Sequence, residues 1–392
     1  MGRVGGNLRT LSYILEQLDR REFDPIVVAP METEFLQRMR DAGTECVVIP
    51  PPASIDRYGG KVLRAGPLAK VRSITDVVQY NRQIQRFIRE RGGFDVIYAN
   101  SIRAVLSVGL AARRTKTPLL WYIKGELNNP WLDRAGFALA DRVLFFCESN
   151  RDDKYPALIA KHRAKIGILR IGIDPAAIEE VEARDKSGVR RDLALDPARL
   201  NTLVLGQLYR PKGQDLAIKA LAGLVRDFPK VKLYIVGDHV IEEYRPYRDE
   251  LDALVVEHGL QDHVVFTGWR TDALDILASM DIVLHPSLSE GFGRAVLEAM
   301  ALGRPVVASK VGGLREIIRH GENGFLIDPG DVKALEIHWR RLLEDAALRA
   351  AFSREARRAV FTDYLLADKI AQLAAIWREM AEKGSPRVRN RR

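Results

Sequence analysis

The feature that most constrains the fold is a regular alternation. Short runs rich in β-branched residues recur along the chain, and most are followed by a stretch with helical periodicity. In the first half the runs are DPIVVAP (24–30), ECVVIP (45–50), DVIYAN (95–100), TPLLWYI (117–123) and RVLFFCE (142–148), with helical patterns at 7–19, 33–42, 75–91 and 103–114. In the second half they are NTLVLG (201–206), VKLYIVG (231–237), HVVFTG (263–268), DIVLHP (281–286), RPVVAS (304–309) and GFLID (324–328). Strands apolar on both faces and alternating with helices predict parallel sheets covered by helices on both sides. A chain of 392 residues exceeds one ordinary core, so two doubly wound α/β domains are expected. The reading places them at 1–171 and 172–365, with the interdomain link in the polar stretch at about 172–200. A C-terminal helix at 366–383 is a candidate to cross back to the first domain, and a basic tail at 384–392 is expected to be disordered.

One element is missing from this pattern. A doubly wound domain opens with an apolar strand, a glycine turn and a helix. Here the glycine turn GRVGGN comes first. The first strand of the N-terminal domain is therefore expected to be absent from this chain, which points to a start upstream of Met1 or to a truncated form. That strand is central in such sheets, and its loss would leave two strand edges unpaired.

Composition narrows the function classes. Hydrophobic content of 47% and charged content of 29% fit a globular protein and exclude disorder and fibrous repeats. The net charge of +9 favours anionic partners. Cys46 and Cys147 sit far apart in apolar runs and read as two buried thiols of a reducing compartment. No apolar run approaches the ~20 residues that span a bilayer, and MGRVGGNLRTL does not read as a signal peptide. A cytoplasmic location follows, with peripheral contact at the inner face of the membrane left open. The segment 55–72 mixes Arg57, Lys61, Arg64, Lys70 and Arg72 with apolar residues. It suits a lipid-linked or anionic acceptor at such a surface, or simply a basic loop. The histidines form no HxH or H-x3-H pair and the cysteines are distant, so no metal site is expected.

The segment 287–318, SLSEGFGRAVLEAMALGRPVVASKVGGLREII, carries the chemistry. A strand ends at Pro286, a loop holds Gly291 and Gly293, and a helix begins near Arg294. Glycines admit close backbone approach, and the helix N-terminus offers N–H groups and a positive dipole end to a phosphate. Glu290 before the helix and Glu298 one turn inside it bracket that cradle, placed to accept from hydroxyl groups. Phosphates flanked by sugars on both sides are the layout of a nucleotide sugar.

This segment resembles the E-x7-E motif of the retaining family-4 glycosyltransferases of the GT-B fold, through EGFGRAVLE, EAMALGRPVVASKVGGLREII and GENGFLIDPGD. The resemblance implies two Rossmann-like domains facing a central cleft. It also implies transfer from a UDP- or GDP-sugar, with retention, to a glycan or lipid-linked acceptor in polysaccharide or glycolipid synthesis. No metal or other cofactor and no nucleic-acid partner are implied. By this resemblance Glu290 is expected to contact the donor sugar and Glu298 the ribose, and the backbone of Gly291, Phe292, Gly293, Arg294 and Ala295 to hold the sugar and diphosphate. GQLYRPKGQD (206–215) resembles the family's G-R-L-x-x-x-K-G stretch. Lys212 matches its lysine, whose charge stabilises a leaving diphosphate. Gln207 departs from the usual arginine, for which Arg210 is a candidate substitute. VVFTGWR (264–270) resembles the base-reading segment, making Trp269 and Arg270 candidates to flank the base. Gly5 and Gly6 match the glycine loop of the first domain. Lys124 stands where many members carry histidine, so Lys124 or Glu126 is a candidate to meet donor or acceptor. Asn100, at another strand end, is a candidate acceptor contact.

Rival readings are a nucleotide-sugar epimerase of the same fold, a non-catalytic or degenerate nucleotide-sugar binder, and a dinucleotide oxidoreductase. The last is disfavoured because GRVGGN lacks the G-x-G-x-x-G spacing.

Overall fold

Each run read as a strand contains one. The computed structural model describes residues 6–52, 67–125, 127, 129–153, 155–196, 199–239 and 242–384. The chain divides into two units: Met1–Arg170 with Ala367–Arg392, and Ile171–Leu366.

In the second unit the strands are β7 (Asn201–Leu205), β8 (Lys232–Val236), β9 (Val264–Gly268), β10 (Ile282–His285), β11 (Val306–Ser309) and β12 (Phe325–Ile327). They form one parallel sheet in the order β12-β11-β10-β7-β8-β9. Numbered within the unit and read from β9, this is 3-2-1-4-5-6, the doubly wound order. Alternation of side chains sorts the strands onto two faces. Val204, Ile282, Leu284 and Val307 share a core with helices Gln214–Ala222, Arg245–Glu257 and Val332–Glu344. Leu203, Val283 and Val306, on the opposite parity, are equally buried. Trp339 ties the first face together by donating its indole N–H to Thr202 Oγ1 at 3.1 Å.

In the first unit β1 (Ile26–Ala29) pairs with β2 (Glu45–Val48). A separate sheet joins β3 (Ile97–Ala99), β4 (Leu119–Ile123), β5 (Arg142–Phe145) and β6 (Ile166–Ile168), again all parallel. Among the described residues no strand joins β1 to β3. The break falls where the doubly wound order places an opening strand. Helices Gly6–Gln17 and Glu34–Asp41 pack Leu15, Phe35, Leu36 and Met39 against β1 and β2. Helix Pro67–Glu90 sets Tyr80, Ile84 and Ile88 against Ile49 and Ala111.

Several sequence expectations need correction. Helix Pro67–Glu90 begins eight residues before the expected 75. β6, an Ile-Gly-Ile triplet, was not expected, being too short for a periodic signal. The polar stretch 172–200 is built into the second unit by helices Pro175–Ala183, with Ile178 and Val181 buried, and Ser187–Asp192. Cys147 is buried but Cys46 is only half-buried; both thiols are free. Helix Leu366–Gly384 groups with the first unit from Ala367 onward. Its Trp377 packs edge-on against Phe23 and Tyr98, with ring centroids 5.6 and 5.8 Å away. Among the described residues no helix is long and apolar enough to cross a membrane.

Candidate active site

β7 and β10 lie side by side and parallel, at the point where the strand order reverses. Chains leaving their carboxyl ends therefore emerge together, the place where open α/β sheets bind ligands. The loop after β7 carries Lys212 and the loop after β10 carries Glu290. Two features pin the loops to each other. The Leu288 N–H donates to the Pro211 carbonyl at 2.7 Å. Gly213, at φ +68°, lies so close that a Cβ there would meet the Pro286 oxygen at 2.1 Å. Only glycine meets both demands without strain.

Lys212 Nζ lies 2.6 Å from Glu290 Oε2. His285 Nε2 lies 2.8 Å from the same oxygen. Oε1 accepts the Gly291 N–H at 3.0 Å. The Glu290 side chain is 14% exposed and that of His285 5%. Burial alone would push the Glu290 pKa up. The hydrogen bond from His285 and the charge of Lys212 outweigh it and hold the carboxyl well below the usual carboxylate range. The loop is backed by Gly312, where a Cβ would meet the Glu290 carbonyl oxygen at 2.0 Å, and by the Gly313 N–H donating to Gly291 O at 3.0 Å.

Helix Arg294–Ala301 starts at Gly293, which is left-handed and supplies no side-chain cap. Glu298 is 6% exposed and accepts from Arg294 Nε at 2.8 Å. It is thus a buried, paired carboxylate and not an ordinary surface residue of its helix. The Phe292 ring is buried beside Tyr364, and Gly293 is buried with it, while Gly291 and Ala295 are half-buried.

The other expected residues are distributed less simply. Gln207 is half-buried, and its carbonyl accepts from Gln214 Nε2 at 2.9 Å. Arg210 is paired with Glu250 and lies over the Tyr247 ring, so the structure does not bring it to Lys212 and Glu290. Arg270 is paired with Asp272 at 2.6 Å and reaches Asp192 at 3.5 Å. Its neighbour Trp269, after β9, is 41% exposed. In the first unit Lys124 is buried at the end of β4, its Nζ 5.3 Å from the Tyr122 ring centroid. Asn100 follows β3, and its Oδ1 is buried without a hydrogen-bond partner. Gly6 opens its helix; Gly5 and Glu126 lie outside the described residues. Among the described residues no three His, Cys, Asp or Glu side chains gather as a metal-binding group. Sequence reasoning passed over His285. Its position at a strand's carboxyl end, five residues before Glu290, was the available signal.

Residues 185–359 match the family model described as Glycosyl transferases group 1, and residues 5–152 match the Glycosyl transferase 4-like domain. The chain belongs to the group 1 glycosyltransferases. This glycosyltransferase is 26% identical over 370 residues to the alpha-D-kanosaminyltransferase of Streptomyces kanamyceticus, covering 90% of the chain and 92% of that protein. It is 33% identical over 226 residues to the glycogen synthase of Mycobacterium tuberculosis, with 56% and 50% covered. The chain thus matches about half the length of that enzyme. In structure it is similar to HepE of Anabaena solved in complex with UDP, with a TM-score of 0.77 at 22% identity, covering 97% of this chain and 98% of that one. A glycosyltransferase of Rickettsia africae gives a TM-score of 0.80 at 17% identity, with 96% and 95% covered. The shared fold is GT-B, with two Rossmann-like domains.

Proposed function

We propose that this glycosyltransferase moves a hexosyl unit from a UDP- or GDP-sugar to a hydroxyl of a glycan or lipid-linked acceptor, with retention at the anomeric carbon. The observation that carries the reading is the Lys212–Glu290 pair at the β7/β10 switch point, beside the N-terminus of helix Arg294–Ala301. Departure of a nucleoside diphosphate develops negative charge. A fixed ammonium and a helix N-terminus stabilise that charge without reorganising. Glu290 accepts from the donor sugar's hydroxyls. Glu298 accepts from the ribose while keeping Arg294, since a carboxylate offers about four lone-pair sites. Trp269 supplies an exposed aromatic face for the base.

In this reading Lys212 and the helix end do the work that a metal ion does in other phosphate chemistry. Acceptor recognition is assigned to the first unit, at the strand ends that carry Asn100 and Lys124. Retention and hexosyl specificity come from the family resemblance. A cytoplasmic site of action rests on the two free thiols of a reducing compartment; peripheral contact at the membrane's inner face rests on the basic segment 55–72, of which 55–66 lie outside the described residues.

The test follows nucleoside diphosphate release from UDP- and GDP-sugars with and without a panel of hydroxyl acceptors, and reads the anomeric coupling of the product by proton NMR. Acceptor-dependent release with the donor's configuration kept is expected. An inverted product would overturn retention. Donor interconversion without any acceptor would point to an epimerase.

A further inference from the structure

Glu290 has a third partner that the donor-site reading leaves without a task. His285 is the last residue of β10, in register with Ala308 of β11, followed by Pro286 and 4% exposed. Its ring is therefore held by the sheet, whereas Lys212 reaches Glu290 on a flexible four-carbon stem. The two meet at one atom: Oε2 lies 2.8 Å from His285 Nε2 and 2.6 Å from Lys212 Nζ. An ionised carboxylate only accepts hydrogen bonds, so the His285 Nε2 must carry a proton.

Resting on the donor-site reading above, we propose that His285 is the positioning residue of Glu290, holding its carboxylate in place when Lys212 turns to the donor's diphosphate. Lys212 has a single charge for two anions. With no donor bound, that charge is set against Glu290. Once a diphosphate arrives, the lysine's charge is shared or drawn away. A buried carboxylate that loses its partner is costly and free to swing. The His285 Nε2–H and the Gly291 N–H, one on each carboxylate oxygen, then keep the group aimed at the sugar. His285 acts through Glu290 and touches no reacting atom.

The experiment compares His285→Gln with His285→Asn. A glutamine amide nitrogen reaches the place of Nε2, whereas an asparagine's stops near that of Nδ1. Both variants are checked for fold by thermal unfolding and for binding of UDP and GDP by calorimetry. The proposal expects His285→Asn to lower kcat for donor turnover about 10–100-fold, the worth of one hydrogen bond to a charged group. Nucleotide affinity should stay within about twofold, because the pyrophosphate and base contacts are untouched. His285→Gln should recover most of the lost rate. Equal rates for both variants and wild type would overturn the proposal and leave the donor-site reading standing. Equal losses in both, or a loss confined to nucleotide affinity, would overturn it too, by giving His285 a merely structural or binding role. If His285→Asn does not fold, His285→Leu against His285→Gln makes the same comparison. A wild type that binds and turns over no nucleotide sugar removes the donor-site reading and this proposal with it.

Discussion

At the scale of single residues, one carboxylate oxygen organises the site. Glu290 Oε2 collects Lys212 and His285, so substitution of either partner acts on the same atom. Lys212→Ala is expected to lower kcat for transfer about 10²–10³-fold, the usual cost of losing one preorganised stabilising group. Steady-state kinetics with saturating donor check this. The same cluster ties stability to pH. Burial pushes the Glu290 pKa up, but His285 and Lys212 carry it below its ordinary value. The unfolded chain therefore binds the proton more readily than the folded one. The stability contributed is complete above the unfolded pKa, at about 4.3, and drains away as pH falls below it. Relative to Glu290→Gln, which has no such titration, wild type should lose part of its unfolding midpoint between about pH 5 and pH 3. A constant difference across that range would contradict the assignment. Glu290 was legible as a candidate because EGFGRAVLE compresses turn glycines, carboxylates and a helix start into nine residues. His285, Arg210 and Arg270 were not legible in the same way. Their partners Glu290, Glu250 and Asp272 are fixed by side-chain reach or by distant contacts that no local pattern encodes.

At the scale of elements, the two switch-point loops behave as one unit, held by Gly213 against Pro286. Gly213→Ala forces a Cβ toward a carbonyl oxygen and a left-handed backbone onto alanine. The expected cost is about 2 kcal/mol or more, read by chemical denaturation. Donor affinity should fall with it, because the lysine loop is displaced. An alanine variant as stable as wild type would contradict this packing. The strands were legible because residues buried on both faces leave apolar runs without alternation, as in the IVL of β10 and the VVA of β11. β6 was missed because three residues with a central glycine carry no period. The early turns of helix Pro67–Glu90 were missed because a helix with a mixed basic and apolar start looks like a loop in sequence.

At the scale of the whole molecule, the chain leaves the first unit at Arg170 and rejoins it at Ala367. The C-terminal helix is therefore part of the first unit's packing. Its Trp377 lies against Phe23 and Tyr98, and Arg378 is paired with Glu22 at 2.7 Å. A chain ending at Leu366 is expected to lower the unfolding temperature of the first unit by about 2–4 °C for each kcal/mol lost, while the second unit, which ends at that residue, melts as before. Differential scanning calorimetry separates the two. Equal shifts in both transitions, or none, would contradict the assignment of the helix. The two-unit plan was legible from length and rhythm. The stretch 172–200 was read as a link, because it buries only a few residues, such as Ile178 and Val181, and so resembles a linker in composition.

The central claim is that Glu290, braced by Lys212 and His285, faces a nucleotide-bound sugar. Its most direct measurement is slow hydrolysis of a panel of UDP-, GDP- and ADP-sugars by wild type and by Glu290→Ala, with nucleotide binding followed in parallel. The account predicts that wild type selects a UDP- or GDP-sugar and hydrolyses it, and that the variant still binds the nucleotide but loses hydrolysis by about 10²-fold or more. Hydrolysis at the same rate in both proteins would contradict it.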